Sequence, residues 1–185
     1  MRYIKMLVFG IISLLIVVMV ISFILPSTGH VEREGVIYAP PSVIFEQLNN
    51  LRNNVKWNPW EQTNLKKKIY FFSDPDSGRG AYYSWKSKDP KAGEGRYSIL
   101  ESTGDSTVRF LWSYNRLPSI EGGFIIRPTA DGRGCWIKWY MDLPAGWKPW
   151  LRFYAVMMDR LVGPGMETGL TNLKSICETH AASGN

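Results

Sequence analysis

The hydrophobic pattern of this chain opens with an unbroken run of uncharged residues, Met6–Leu25. A helix of that length spans about 30 Å, which matches the hydrocarbon thickness of a bilayer. Arg2 and Lys5 precede the run, and Pro26 follows it. Because basic residues stay on the cytoplasmic side, the pattern predicts a single-pass helix in the cell membrane, with the N-terminus in the cytoplasm and the rest of the chain on the extracytoplasmic side.

A cleaved signal peptide is the alternative interpretation, because Ser27-Thr28-Gly29 resembles a small-residue cleavage site. Signal peptides carry a shorter apolar core of about 7–15 residues, so the length of the run favours an uncleaved anchor. The predicted organisation is a cytoplasmic N-terminus (1–5), a transmembrane helix (6–25), a linker (26–30), one soluble domain (31–180) and a tail (181–185). A domain of that length can bury a core of its own.

The first part of the soluble region predicts one strand and two short helices. Polar and apolar residues alternate from His30 to Ala39, as in a strand. Pro40-Pro41-Ser42 then opens a helix, in whose first turn proline is tolerated. The asparagines at positions 49, 50, 53 and 54 are expected to end that helix. A second short helix or turn is predicted over Val55–Trp60.

Short runs rich in aromatic and β-branched residues follow, separated by turn residues such as those of Asp74–Gly78. They predict an antiparallel meander of six strands. A helical period then extends over Pro149–Ala181, and Gly163-Pro164-Gly165 is expected to bend or break that helix. The six predicted strands are Lys66–Phe72, Gly80–Lys86, Glu94–Glu101, Val108–Tyr114, Ile120–Arg127 and Cys135–Asp142.

These elements together predict an α+β fold. A curved antiparallel sheet of about seven strands would wrap around the long C-terminal helix, because each element needs a partner for its apolar face. Such a sheet does not close fully on the helix. A pocket is therefore expected between them, roofed by the two short helices that follow the first strand.

The charged residues do not alter the predicted fold. The chain carries a net charge of +6, and its densest basic run is Lys66-Lys67-Lys68 at the beginning of a predicted strand. No DNA-binding or RNA-binding motif accompanies that run. A solvated strand edge, or a face turned toward anionic lipid headgroups, is therefore favoured, and no nucleic-acid partner is predicted.

The spacing of histidine and cysteine predicts neither a metal site nor a catalytic triad. Cys135 and Cys177 are the two cysteines, and His30 and His180 are the two histidines, so no zinc-type spacing exists. Histidines near the ends of the domain also exclude a Ser–His–Asp arrangement. Buried thiols are favoured over a disulfide between the two cysteines, although the sequence does not decide this pairing. No cofactor is predicted.

Several short motifs in a fixed order give the chain a resemblance to a known superfamily. The chain resembles the START-like, polyketide cyclase/dehydrase superfamily (SRPBCC, with a helix-grip fold), and in particular its membrane-anchored bacterial members. The resemblance covers residues 31–174, and it departs at Arg133-Gly134-Cys135, where the family usually enters its last strand with Gly-Thr. The motifs are Ala39-Pro40-Pro41, Trp57-Asn58-Pro59-Trp60, Gly78-Arg79-Gly80, Gly93-Glu94-Gly95-Arg96, Met158-Asp159 and Gly169-Leu170-Thr171-Asn172-Leu173-Lys174.

Strand parity places large rings on the concave face of the sheet, with methionines of the C-terminal helix opposite them. Rings with a polar tip suit a ligand cavity, but a filled aromatic core explains the same pattern, and both interpretations stay open. Trp57 and Trp60 on the roof could gate the pocket or act as a packing staple. The candidate ligand-binding residues are Trp57, Trp60, Tyr83, Trp85, Tyr97, Phe110, Trp112, Phe124, Trp139 and Met158.

Acid–base candidates are few. Glu94 and Arg96 face away from Tyr97 and are expected to pair on the surface, while Glu101 shares the face of Tyr97 but falls at the wet end of the strand. The sequence therefore shows no buried carboxylate or Tyr–Glu pair in the pocket. Asp159 on the long helix could face either side.

The function expected from these features is a membrane-tethered START-like domain that binds a hydrophobic small molecule or lipid without catalysis. The superfamily hosts lipid carriers, hormone receptors, cyclases and chaperone co-factors, so fold alone does not choose between them. A polyketide cyclase or dehydrase-type enzyme and a chaperone-activator-like interaction module are the alternatives. The ligand and the oligomeric state are left open.

Overall fold

The computed structural model describes residues 2–62, 68–89, 92–115 and 117–183. It opens with helix α1 (Arg2–Ile24), which is the one helix among those residues that is long and apolar enough to cross a membrane. The apolar side chains of α1 are exposed along its whole length, and Ser22 is its one buried residue. The helix therefore contributes almost nothing to the core of the domain that follows.

Seven antiparallel strands form a single sheet in the order β1-β7-β6-β5-β4-β3-β2. The strands from β2 to β7 form a meander in chain order, and β1 joins it by pairing with β7, which confirms the predicted α+β class. Residues 66 and 67, with which the second strand is predicted to begin, lie outside the described residues. The strands are β1 (Thr28–Ile37), β2 (Lys68–Phe72), β3 (Tyr82–Ser87), β4 (Glu94–Thr103), β5 (Thr107–Tyr114), β6 (Ile120–Pro128) and β7 (Cys135–Pro144).

The long C-terminal helix, α5 (Pro149–Ser183), packs against the sheet and extends past the predicted beginning of the tail. It continues through Gly163-Pro164-Gly165, so the predicted break is wrong. Both glycines admit close neighbours: a Cβ at position 163 would collide with the guanidinium of Arg33 in β1, and one at position 165 would lie 2.7 Å from the ring of Trp60. Packing on both sides therefore supports the helix where proline removes a backbone donor.

The first strand begins earlier than the sequence predicts. β1 begins at Thr28 instead of His30, so most of the range expected to be a linker belongs to the sheet. Thr28 pairs with Pro144 at the end of β7. Gly29 permits a close contact with α5, because a Cβ there would lie 2.8 Å from Cα of Ala155. The sheet therefore begins a few residues after the apolar helix. The strand is longer than predicted because its backbone continues to pair with β7 outside the stretch in which polar and apolar side chains alternate.

In the described part of the β1–β2 connection there are three short helices instead of the predicted two. Asn50 divides the first two, because its Oδ1 accepts hydrogen bonds from the backbone N–H groups of Arg52 and Asn53 at 3.0 and 3.3 Å. An asparagine in that position ends one helix and caps the next. Asn53 and Asn54, which are expected to break the helix, lie inside the second one. The helices are α2 (Pro41–Asn49), α3 (Leu51–Trp57) and α4 (Pro59–Gln62).

Trp57 joins the short helices to the sheet and to α5. Its fully buried indole meets the rings of Phe124 and Trp139 edge-on, with centroids 5.8 and 5.7 Å away. The Nε1 of Trp57 donates to the carbonyl of Gln47 at 3.0 Å, and its own carbonyl accepts from the Asn172 side chain of α5 at 3.1 Å. These contacts match the packing staple that the sequence leaves open as the alternative to a gate.

We expect Trp57→Ala to lower the free energy of unfolding by about 3–5 kcal/mol, because it removes a fully buried ring. Chemical unfolding of the full chain in detergent, followed by circular dichroism, measures this loss. Trp147→Ala is the matched control, because Trp147 is 72% exposed, and its effect should stay within about 0.5 kcal/mol. Equal effects of the two substitutions would contradict the packing described for Trp57.

A pH-dependent contribution to stability comes from His30 in β1. Its Nδ1 lies 2.7 Å from Asp142 and its Nε2 lies 3.2 Å from Glu32. The hydrogen bond with Asp142 is the main reason why the pKa of His30 is raised in the folded state. The stabilisation is therefore complete below the pKa of the unfolded chain and is lost as the pH rises through the raised pKa.

We expect the melting temperatures of the wild type and of His30→Gln to differ near pH 5.5 and to converge near pH 8.5. The gap should be small, because the side chain of His30 is 51% exposed and such pairs contribute about 0.5 kcal/mol or less. Thermal unfolding of both proteins at the two pH values tests this. A gap that widens at high pH would show that the ion pairs of His30 do not stabilise the fold.

Candidate functional site

A pocket of about 330 Å³ opens between one end of the sheet, helix α4 and the beginning of α5. Its walls are mainly aromatic, formed by Trp60, Trp85, Trp112, Tyr114 and Tyr154. The rest of the apolar lining is Ala92, Leu117, Pro118 and Ile120. One acid and one base, Glu61 and Lys68, complete the wall. The pocket therefore offers flat apolar surfaces with a single charged pair.

The broad wall formed by Trp85 depends on a glycine in the neighbouring strand. Gly95 in β4 lies beside Trp85 in the sheet, and a Cβ on Gly95 would collide with the indole ring. The ring therefore lies across β4 and stacks with Tyr114 at a centroid distance of 6.4 Å. Its Nε1 donates to the carbonyl of Ala92 at 3.1 Å, which fixes the orientation of the indole.

The ten candidate ligand-binding residues divide into two groups. Trp60, Trp85 and Trp112 line the pocket. The other seven lie in the buried core beneath it, where Tyr97 stacks on Phe110 at 4.8 Å between ring centroids. The cavity and the filled core, which the sequence treats as alternatives, are thus both present. The core group is Trp57, Tyr83, Tyr97, Phe110, Phe124, Trp139 and Met158.

A second, much smaller space of about 10 Å³ lies behind the pocket. Trp60 and Trp112 border both spaces, and their rings are 5.6 Å apart. Three buried polar atoms on residues of the inner space have no hydrogen-bond partner among the described residues: Asn54 Nδ2, Tyr97 Oη and Trp139 Nε1. Orphaned polar atoms in a core are costly, and a space of this size suits about one water molecule.

A buried polar cluster forms the wall of the pocket next to α4. The side chain of Glu61 is 1% exposed and that of Lys68 is 5% exposed. Lys68 Nζ lies 2.7 Å from Glu61 Oε2. The hydroxyl of Tyr70 donates to the same oxygen at 2.7 Å, and the hydroxyl of Tyr83 donates to Oε1 at 3.1 Å. Lys68 also donates to the carbonyl of Trp60 at 2.9 Å. The carboxylate thus accepts from three donors.

This cluster corrects two expectations from the sequence. Lys68 is expected at a solvated strand edge, but its side chain is only 5% exposed; the other two lysines of the run lie outside the described residues. No buried carboxylate is expected, but Glu61 is one. Both corrections have the same cause, because α4 brings Glu61 against β2 through tertiary contacts that leave no local pattern. The one available signal was that Tyr70 and Tyr83 both present hydroxyls on the concave face.

The electrostatics of the cluster favour hydrogen bonding over proton transfer. Burial and the neighbouring Glu61 carboxylate raise the pKa values of Tyr70 and Tyr83 well above the ordinary tyrosine value. Both hydroxyls therefore remain protonated donors at neutral pH. Lys68 uses two of its three N–H groups on protein oxygens, and its ammonium lies 5.0 Å from the ring centroid of Trp85. Among the described residues, the third ammonium hydrogen has no oxygen acceptor.

The remaining candidates lie away from the pocket. Glu101 is half-exposed, as expected, and pairs with Arg109 at 3.1 Å. It does not fall at the end of its strand, because β4 continues to Thr103. Asp159 faces the sheet side of α5, where it pairs with Arg33 at 2.7 Å. Arg96 packs over the ring of Tyr82 on the outer face. None of these groups lines the 330 Å³ pocket described above.

Both cysteines are buried as thiols, as predicted. Cys177 lies on α5, and burial raises the pKa of its thiol to about 12. Cys135 begins β7 and donates through Sγ to the carbonyl of Ala39 at 3.6 Å. Thiols that are buried and protonated are poor nucleophiles, so these two act as core residues.

No family model matches the chain, and no curated protein matches it in sequence. Solved structures do resemble it. SA2116 from Staphylococcus aureus, a protein of unknown function, aligns with a TM-score of 0.62 at 10% identity, over 83% of this chain and 95% of that one. CalU16 from Micromonospora echinospora aligns with a TM-score of 0.52 at 14% identity, over 78% of this chain and 71% of that one.

DynU16, a protein of the dynemicin biosynthetic locus, aligns with a TM-score of 0.55 at 15% identity, over 83% of this chain and 48% of that one. The domain has the helix-grip fold. It is the fold that the order of the predicted elements implies. Identities this low establish the fold alone, so the function has to be argued from the pocket itself.

We expect Glu61→Gln to destabilise the protein by about 3–5 kcal/mol, because it leaves the Lys68 ammonium buried without its counter-charge. The double substitution Glu61→Gln with Lys68→Met should cost less than the sum of the two single substitutions, since both charges are then absent. Unfolding of the four proteins in detergent measures the coupling. Additive effects would show that the two groups do not form a buried pair.

Proposed function

We propose that this protein is a membrane-anchored, non-catalytic binding module for a small amphipathic molecule with a flat apolar body. The observation that carries this proposal is the aromatic pocket with one buried ion pair in its wall. Ligand sites in proteins are typically concave and apolar, with few polar groups that orient the ligand. The walls formed by Trp60, Trp85 and Trp112 fit that description.

The size of the pocket limits the ligand. About 330 Å³ is near the lower end of the range of ligand pockets, so a single ring system or one short acyl chain is the expected occupant. The remaining ammonium hydrogen of Lys68 suits an acceptor group such as a carboxylate, a carbonyl or a hydroxyl. If Trp60 moved aside, the pocket would join the inner space, where Tyr97 and Trp139 present unpartnered donors.

The membrane part of the proposal rests on α1. Its apolar side chains are exposed, and it is long enough to span a bilayer. Arg2 and Lys5 at its beginning favour a cytoplasmic N-terminus and an extracytoplasmic domain. An anchor of this kind raises the effective concentration of the pocket at the membrane surface.

An uncleaved anchor predicts that the membrane-extracted protein retains its N-terminal segment. Intact-mass spectrometry of the detergent-extracted protein should give the mass of a chain that still contains α1. A mature chain that begins near His30 would identify the segment as a signal peptide instead.

We expect the full chain in nanodiscs to bind 2-naphthoate, a flat ring system with one carboxylate. Calorimetric titration, with empty nanodiscs as the reference, measures the affinity. Leu117→Trp should weaken binding at least about tenfold by filling the mouth, because Leu117 is an exposed residue of the pocket wall and bulk there displaces the ligand.

Leu100→Trp is the matched control, because Leu100 lies in β4 outside the pocket lining and is 36% exposed. It should bind 2-naphthoate like the wild type. Equal loss in both variants would show that the pocket is not the site. If neither 2-naphthoate nor other flat or acyl carboxylates changed the melting temperature, the binding role as a whole would be contradicted.

A proton-transferring enzyme of the cyclase or dehydrase kind is the second candidate, and the buried contact between Glu61 and Tyr83 favours it. Such an enzyme needs a carboxylate that can take a proton from a bound carbonyl compound. Deuterium uptake next to the carbonyl of a bound aryl ketone in D2O distinguishes the two functions. Uptake that Glu61→Gln abolishes, while the circular dichroism of the variant stays that of the folded wild type, would support the enzyme. A ketone that binds but stays unlabelled supports the binding module.

A further inference from the structure

Large apolar side chains lie exposed along one face of the first half of α5. Five of them repeat at helical spacing and are between 37% and 64% exposed: Trp150, Phe153, Tyr154, Met157 and Leu161. Trp147, just before the helix, is 72% exposed. These six residues are called the docking face below. An uncovered apolar surface of this extent marks a site of interaction.

The docking face lies beside the point where α1 ends. Arg152, in the same turn of α5 as Trp150, donates from Nη1 to the carbonyls of Ser22, Phe23 and Leu25 at 3.1, 3.1 and 3.2 Å. These are carbonyls at the C-terminal end of α1, which have no partner within a helix and which a basic side chain satisfies well. The first turn of α5 is therefore fixed to the end of the apolar helix.

The mouth of the pocket lies at this same end of the sheet. Thr28, the first residue of β1 after α1, pairs with Pro144 at the end of β7. Glu121, next to the beginning of β6, pairs with Asp142 in β7, so the β5–β6 connection with Leu117 lies at the same end. Tyr154 belongs both to the docking face and to the wall of the pocket.

The chemistry of the docking face matches the interface of a bilayer. Trp and Tyr concentrate at the level of lipid headgroups, and basic residues beside them are attracted to anionic lipids. Lys148 and Arg160 flank the docking face in the sequence. Asp159, the acidic residue of this stretch, is paired with Arg33 of β1.

We propose that the docking face lies in the headgroup region of the bilayer that α1 crosses, so that the mouth of the pocket opens at the membrane surface. This inference rests on the membrane anchor of the proposed function and adds an orientation to it. A ligand dissolved in the bilayer would then pass between Tyr154 and Leu117 into the pocket without crossing bulk water.

Spin labels on the full chain test this orientation, in nanodiscs of phosphatidylcholine and phosphatidylglycerol. Single labels are placed at Trp150→Cys and Met157→Cys on the docking face, and at Leu117→Cys on the rim. Cys135 and Cys177 are fully buried and stay unlabelled. Power-saturation spectroscopy compares the collision of each label with oxygen, which concentrates in lipid, and with a water-soluble nickel chelate.

Two further labels serve as references. Gly104→Cys lies in the turn between β4 and β5, at the far end of the sheet, and should report water. Val17→Cys lies within α1 and should report the bilayer interior. We expect the oxygen-to-nickel ratio at positions 150, 157 and 117 to exceed that of Gly104→Cys at least about threefold, as for interfacial residues.

Each other outcome overturns a defined part of the proposal. A bilayer signal at Val17→Cys with water signals on the docking face would keep the anchor and overturn the orientation. Low collision with both reagents at positions 150 and 157 would indicate a protein contact and also overturn it. A water signal at Val17→Cys would overturn the anchor itself, and with it this part of the proposed function.

Discussion

The contact between Glu61 and Lys68 determines the shape of the pocket, because it joins helix α4 to β2, an edge strand of the sheet. Two charges out of water are costly unless their other hydrogen-bonding sites are filled. Here two tyrosine hydroxyls and the carbonyl of Trp60 fill most of them, and one ammonium hydrogen of Lys68 remains. The same pair therefore places Trp60 above the pocket and holds an ammonium against the ring of Trp85.

Around this pair, the concave face of the sheet serves two purposes at different depths. Deep rings such as Phe110 and Phe124 pack against one another and supply the stability of the core. Nearer the mouth, Trp60 and Trp112 separate the open pocket from the inner space with its unpartnered donors. The Glu61 carboxylate accepts from three donors, and the hydroxyls of Tyr70 and Tyr83 stay protonated at neutral pH. This arrangement suits recognition better than proton transfer, which is why binding is the stronger proposal.

Helix α1 and the domain are joined by a short connection. β1 begins at Thr28, a few residues after the end of α1, and Arg152 ties the carbonyls at that end to α5. In the proposed orientation, a pocket at this end of the sheet would exchange an apolar ligand with the bilayer over a short path, and the far end, with the β4–β5 turn, would face the aqueous phase.

Local periodicity and turn residues are enough to predict the α+β class, the strands, the apolar helix and the range of the long C-terminal helix. They predict neither the separate helix α4 nor the continuation of α5 through Gly163-Pro164-Gly165. Parity also placed the rings on the concave face. Whether those rings enclose space was decided by the tertiary structure, since that depends on how closely α5 and α4 approach the sheet. The Glu61–Lys68 pair was invisible for the same reason. A charged residue gives the same local sequence pattern whether it lies on the surface or in the core. Only the packing of other elements around it excludes water from it.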